Sequence, residues 1–556
     1  MITTAFQPIL QNTHEVVNQP PPLQNYSAYE ADAALVEAVK REGASWAENQ
    51  IRAFGEKTTR SEFLHLGHLA NKYTPELKTH DRFGNRIDEV EYHPAWHELM
   101  KTGVEAEVHA LPWNHRRPGA HVARAAKHYL LSQTEAGVGC PLTMTFAVVP
   151  ALRAQPEIAA EWIPRVTSTA YDSRMIPSYE KMGCLMGMAM TEKQGGSDVR
   201  SNTTRAVPMS IGGAGQEYLL TGHKWFCSAP MCDAFLSLAQ TDKGLSCFLV
   251  PRWLPDGSRN HFYIQRLKDK LGNRSNASSE IEYRNTYARM VGEEGRGVPT
   301  IIEMVNHTRL DCVIGSSALM RQALVQAIHH CKHRSAFGNT LIYQPLMQNV
   351  LADLALESEA ATLAMARLAH VYDETEINSG RRPYARLATT VMKYWVCKRA
   401  PAMISEALEC MGGAGYVEES IMPRLYREAP VNSVWEGSGN VMCLDVLRAL
   451  REPDALSSFM QELDTARRND PRYDRFLNTA HAMIDGHSTL EARARRIAEM
   501  LALLFQASLL IKHSPEYVSA AFCASRLGRE CGEEYGTLNG DVDVQAIVKR
   551  AGAMML

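Results

Sequence analysis

The hydrophobic pattern of this chain changes period twice, and that switch limits the architectures open to it. Up to about Met182, apolar residues recur at three- and four-residue intervals, as in Ala33 to Arg41 and Ser61 to Lys72, the spacing of one helix face. From Met188 to about Met290 the runs become short and β-prone: Glu217 to Gly222, Ala234 to Gln240, Leu245 to Val250, Phe262 to Gln265 and Glu280 to Tyr283, with turns between them. Strands at this spacing, without long helical inserts, predict an antiparallel sandwich or barrel. Beyond Gly297, helical patterns return over Val298 to His333, Gln344 to Thr375, Ala385 to Met411 and Asn440 to Leu450, enough for a four-helix bundle with short connections. The expected fold class is α+β multidomain. An extended arm covers 1–26, an N-terminal α-helical domain 27–182, a central antiparallel β domain 183–291 and the bundle 292–450. An additional helical domain, 451–556, follows the charged break Arg451-Glu452-Pro453-Asp454.

Composition narrows the function classes. A formal net charge of −3 over 556 residues and a pI near 6.7 do not describe a general polyanion binder, though a local basic patch can sit inside a neutral total. Twelve cysteines occur without CxxC pairs or zinc-finger spacing, which predicts reduced thiols, a cytoplasmic location and no metal site. Met1 to Leu23 lacks a charged n-region and a continuous apolar segment, so it does not read as a signal peptide. The most apolar run, Met500 to Ile511, is too short for a bilayer and reads as a buried helix.

Chemistry concentrates in a few segments. In Pro430 to Asn440 a single carboxylate, Glu436, stands between Trp435 and the turn Gly437-Ser438-Gly439, just before the helical run from Val441 to Arg448. Partial desolvation beside the indole raises a carboxylate pKa and suits it to proton abstraction; a surface turn with an exposed Glu explains the same spacing. Met188-Ala189-Met190-Thr191-Glu192 runs into Gly195-Gly196-Ser197-Asp198, where backbone N–H groups and Ser197 suit a pyrophosphate, or simply a hairpin. Trp225 and Phe226 lie within one β-prone run, placed to stack on a planar cofactor or to fill a core. Arg334 to Phe337, and the glycines of Met411-Gly412-Gly413-Ala414-Gly415-Tyr416, offer a charge, a ring and an open backbone. No GxGxxG follows a strand and opens a helix, so a dinucleotide has to be held without a Rossmann site.

In this order the segments resemble the acyl-CoA dehydrogenase family over roughly Gly183 to Arg448. The motifs are Met-Thr-Glu to Gly-Ser-Asp, Gly222-x-Lys224-Trp225, Lys270-Leu271-Gly272-x-Arg274, Arg334-x-x-Phe337-Gly338, Gly412-Gly413-x-Gly415-Tyr416 and Glu436-Gly437. The resemblance extends over nearly the whole chain to a branch of the family linked to the DNA alkylation response, through Leu267 to Ser278, Pro423 to Pro430, Trp435 to Asn440 and the added helical domain. It implies FAD between the β domain and the bundle. Met188, Ala189, Met190, Thr191 and Ser197 would hold it from one side, with Trp225, Phe226 and Cys227 along the ring system. Val434, Trp435, Gly437, Ser438, Gly439 and Asn440 would close over it. Arg334, Phe337, Gly412 and Gly413 would reach the adenosine end from a neighbouring subunit of a homotetramer. Glu436 would be the catalytic base toward an acyl-CoA thioester, with Arg448 near the same pocket and Arg309 and Trp435 toward the substrate.

This branch also implies double-stranded DNA as a partner, with Arg467, Arg468, Arg493, Arg495 and Arg496 as candidate contacts, and a weak dehydrogenase activity. An ordinary dehydrogenase of short or branched acyl-CoA without a DNA role is the other reading. Two departures from the family stand out: Trp435 replaces the usual Tyr before the base and narrows the acyl pocket, and Pro345 occupies a position that is normally Gln.

Overall fold

A computed structural model describes residues 13–485 and 490–552; the first part of the expected N-terminal arm and the last four residues lie outside them. The N-terminal region is helical, as the apolar spacing predicts, with one exception. Strands Glu76–His80 (β1) and Arg86–Glu91 (β2) form an antiparallel hairpin, where a helical domain alone was expected. The local signal was weak because the hairpin is largely exposed and its residues are mostly polar. What secures it is tertiary: the Arg259 guanidinium donates to the Ile87 carbonyl at 2.8 Å, and Arg252 to the Asp88 carbonyl at 2.8 Å.

The central domain contains Met186–Ala189 (β3), Arg205–Pro208 (β4), Glu217–Ser228 (β5), Ala234–Thr241 (β6), Gly244–Pro251 (β7), Phe262–Leu267 (β8) and Ser278–Val291 (β9). The pairings β6–β7, β7–β9, β9–β5, β5–β4 and β4–β6 close on themselves, with β3 beside β6 and β8 beside β9. The expected barrel therefore forms, but not as a purely antiparallel one, since β3 and β4 both run parallel to β6. β6 is buried along most of its length, which explains its continuous apolar run in place of strict alternation.

Helix Gly297–His333 begins against this barrel and runs through the middle of the molecule. Gly297 is required there, since a Cβ would come within 2.5 Å of the Ser246 backbone. Farther along it, Asp311 is buried and accepts from Arg124 at 2.6 Å and from Thr143 at 2.6 Å, so one carboxylate joins the bundle to two N-terminal helices. Helices Pro345–Ile377, Arg382–Glu409 and Gly439–Ala449 complete the bundle. The polar loop before β9 is a three-way wedge. Asn273 donates to Glu428 at 2.6 and 2.8 Å, and Ser275 donates to Glu135 at 2.7 Å.

The helices after Arg451 pack directly on the bundle. Leu490–His513 is buried over most of its second half, as its apolar run predicts, and Trp395 donates to Gln506 at 3.0 Å. Arg526 and Arg399 share the buried Glu357 at 3.3 and 3.0 Å, and Arg367 pairs with Glu462 at 2.9 Å. Among the described residues no helix is long and apolar enough to cross a membrane.

Candidate active site

The Glu436 turn follows a short 3-10 segment, Ala429–Ser433, and takes an uncommon backbone path. Glu436 has φ +58° and Gly437 φ +109°. The first costs ~1–2 kcal/mol for an L-residue; at the second a Cβ would run into Met442. Surrounding groups hold this shape. Arg309 donates to the Glu436 carbonyl at 3.0 Å and to Asp445 at 2.7 Å. Lys393 donates to the carbonyls of Trp435, at 2.8 Å, and Gly437, and the Trp435 indole donates to Asn432 at 3.0 Å. The Glu436 carboxylate is left for other work: its Oε2 is buried and has no hydrogen-bond partner among the described residues. Burial raises its pKa, against the opposing pull of Thr308, Lys393 and Arg309. A half-buried carboxylate with one buried, unpartnered oxygen and a raised pKa suits a base, which favours this reading over a plain surface turn.

Two further residues were expected near this turn. Arg448 is exposed on the following helix, where Asp445 is buried; the guanidinium that reaches Glu436 belongs to Arg309. Arg309, expected toward the substrate, is itself buried and engaged at both ends by protein. It shapes the loop from beneath.

On the barrel side, Met188 and Ala189 end β3 with Ala189 fully buried, Met190 is half-buried and Ser197 exposed. The Thr191 carbonyl accepts from the Trp225 N–H at 2.8 Å, which sets the turn beside the aromatic pair. Beneath both, Glu192 and Lys224 form an ion pair of 2.9 Å with both side chains at 0% exposure. Burial alone would raise the Glu192 pKa, but Lys224 and the Thr203 and Thr204 donors hold it down at about 2. Sequence reasoning quoted both residues inside motifs and missed the pair. The available signal was a lysine in an otherwise β-prone run whose inward phase demands a partner.

A register shift between Lys224 and Cys227 is a bulge that breaks the alternation of β5. Trp225 is half-buried, Phe226 is 49% exposed and Lys268 lies 3.1 Å over the Trp225 ring. Cys227 points the other way: its side chain is fully buried and burial pushes its pKa up to about 12. Its thiol is a core group, so only its backbone is open to a cofactor along this strand.

At one end of the bundle, the Arg334 and Gly412 segments meet, with Cys331 Sγ 3.8 Å from the Cys410 carbonyl. Phe337 is 98% exposed at φ +53°, and Cβ atoms placed on Gly412 or Gly413 would meet nothing within 4 Å. Arg334 is engaged, donating to the Asn18 carbonyl at 2.6 Å while Asn18 exchanges two bonds with Ser335 at 2.7 and 2.8 Å. The N-terminal arm thus straps this hairpin, a role invisible in its sequence. Around Glu436, Val434 is exposed, Trp435, Ser438 and Gly439 are half-buried, and Asn440 is exposed.

The C-terminal arginines separate. Arg467 pairs with Asp464 at 2.6 Å, and the Arg468 backbone N–H donates to Asp474 at 3.1 Å. Arg493 and Arg496 are exposed and make no ion pair among the described residues. Arg495, also exposed, donates to Asn440 at 2.9 Å.

Comparison with known proteins assigns the class. Residues 187–286 match the acyl-CoA dehydrogenase middle domain and 295–451 its C-terminal domain. The chain belongs to the acyl-CoA dehydrogenase family and is an FAD-dependent oxidoreductase of that type. Within it, residues 18–173 match the adaptive response protein AidB N-terminal domain. AidB of Escherichia coli (strain K12) is 46% identical over 523 residues, covering 94% of this chain and 95% of that protein. The structure of Caenorhabditis elegans ACDH-11 in complex with C11-CoA is similar with a TM-score of 0.84 and 27% identity, covering 97% of this chain and 96% of that one. Butyryl-CoA dehydrogenase from Megasphaera elsdenii, at 19% identity and TM-score 0.58 over 76% of this chain and 98% of that one, shares the fold.

The residues fit FAD. Thr191 Oγ1 is buried without a hydrogen-bond partner among the described residues, and the Thr191 backbone is bonded to Trp225 of the aromatic pair. Such an orphaned hydroxyl implies a polar group absent from the chain itself.

Proposed function

We propose that the chain oxidises an acyl-CoA thioester between its α and β carbons, with Glu436 as the base. The observation that carries this reading is the buried, unpartnered Glu436 Oε2 on a turn held from behind by Arg309 and Lys393. Thr191, Ser197, Trp225, Phe226 and Val434 to Asn440 are the residues that hold FAD, which when bound supplies the acceptor for the β-hydrogen. Glu436 Oε2 takes the α-proton. The Glu436 N–H, without a partner among the described residues, polarises the thioester oxygen and acidifies that carbon. Trp435 narrows the acyl end. Phe337, Leu346 and Tyr416, at 98%, 84% and 80% exposure, support a subunit neighbour at the Gly412 end, as in a homotetramer. All twelve cysteines are free thiols, which supports a reducing cytoplasmic setting. Anaerobic mixing with butyryl-CoA, isovaleryl-CoA or a C11 acyl-CoA is expected to bleach the flavin band; a spectrum unmoved by all three overturns the reading.

A role in the alkylation response through duplex DNA is a second reading. It is favoured by the likeness to AidB and by the exposed, unpaired Arg493 and Arg496. Duplex affinity should fall as salt rises, with a slope reduced by about 1–2 in Arg493→Ala/Arg496→Ala, since each lost phosphate contact removes nearly one unit. Binding that ignores salt, or a slope unchanged in the variant, counts against these contacts.

A further inference from the structure

The Trp435–Asn440 turn has tethers of two origins. Arg309 and Lys393 belong to bundle helices and grip the carbonyls around Glu436. The tether at the far end comes from the added C-terminal helices, where Arg495 Nε donates to Asn440 Oδ1 at 2.9 Å. We infer that Arg495 is a positioning residue of the flavin site, fixing Asn440 and through it the end of the turn that carries Glu436. The inference rests on the proposed role of this turn in holding FAD.

The position of Arg495 is set by core packing more than by its own side chain. It sits on the Leu490–His513 helix between inward-facing residues: Ala494, Ile497, Ala498 and Leu501 are all buried. Trp395 clamps the same helix through Gln506 at 3.0 Å. The guanidinium is therefore delivered from a rigid element, and the approach is close. A Cβ on Gly439 would stand 3.6 Å from Arg495 and 2.9 Å from the end of Lys398, so both cations lie close against the turn.

The bond also decides what Asn440 offers a ligand. An amide whose oxygen is already engaged offers a ligand chiefly its two NH2 donors, which suit an acceptor such as a ring carbonyl or a phosphate oxygen. Arg495 is exposed while doing this, and Arg493 and Arg496 are exposed on the same helix.

The test is a double-mutant cycle in the full-length protein, reading FAD affinity of the stripped protein, its thermal stability without FAD, and visible flavin circular dichroism. Arg495→Ala and Asn440→Ala are each expected to weaken FAD binding about fivefold, the scale of one charge-assisted hydrogen bond at an exposed position. The double variant is expected to be no weaker than either single one. Stability without FAD should not move, and the dichroism should change in the same way in both. Arg495→Lys keeps the charge and stem but loses the planar donor, and is expected to behave like the alanine variant. Wild-type affinity in Arg495→Ala beside a weakened Asn440→Ala overturns the inference, as do additive effects or full retention in Arg495→Lys. Wild-type affinity in Asn440→Ala overturns instead the assignment of this turn to FAD.

Discussion

Glu436→Gln is expected to retain FAD and to reduce it with acyl-CoA about a thousandfold more slowly than the wild type. The amide fills the same space and keeps the backbone tethers from Arg309 and Lys393, but it cannot take a proton, and general-base catalysis contributes about 10²–10⁴ in rate. The pH profile supplies an independent check. Burial raises the Glu436 pKa, so the active carboxylate form is lost as pH falls through that raised value. The wild-type rate should rise with pH to a plateau, and the residual rate of the variant should be flat. Stability moves the other way. A carboxyl whose folded pKa is raised binds its proton more tightly in the folded state, so the stability it withdraws grows as pH climbs from the unfolded pKa through the folded one. The variant should therefore melt no lower than the wild type at neutral pH. Stopped-flow reduction at wild-type speed in Glu436→Gln would remove Glu436 from the mechanism.

Lys224→Met carries the largest expected loss of stability. Both partners of the Lys224–Glu192 pair are fully buried, and removing one charge of such a pair costs about 3–5 kcal/mol because the other is left in the interior. Glu192 would keep its backbone donors from Thr203, at 2.7 Å, and Thr204, at 3.2 Å, which places the expectation at the lower end of that range. The consequence extends to the site, since Glu192 adjoins Thr191 and Lys224 adjoins Trp225. Purified Lys224→Met should hold less FAD per chain as well as unfold at lower denaturant. In the wild type the depressed Glu192 pKa, about 2, adds stability that is present above the unfolded carboxylate value and lost as pH falls toward 2. A variant within 1 kcal/mol of wild type, with full FAD content, would show that the pair is dispensable.

Much of the site was legible because its chemistry is local. Glu436 and its glycines occupy consecutive positions, and so do Thr191 and the glycine turn that follows it. What escaped reading lies between segments distant in sequence. Arg448, twelve residues from Glu436, was expected near the same pocket and Arg309 toward the substrate, yet helical phase turns Arg448 outward while Arg309 arrives from a helix more than a hundred residues earlier to hold the Glu436 carbonyl. Cys227 looked equivalent to Trp225 until a bulge altered the alternation of β5. The β1–β2 hairpin lacked an apolar stripe and is held by arginines of the barrel. Arg495, one of three similar arginines in a basic cluster, proved to be the one bonded to Asn440.

Apolar periodicity alone determined the order of helical, β and helical regions, because a segment's period states which face it must bury. The residue types at the turns pointed to where a base and a flavin would belong. Only the tertiary structure decided which cations hold the Glu436 turn, which side chains of β5 enter the core, and that the Leu490–His513 helix begins beside Asn440. The physical reason is that an ion pair or a hydrogen bond is specific only at a few ångströms, and that separation is set by packing of the whole chain.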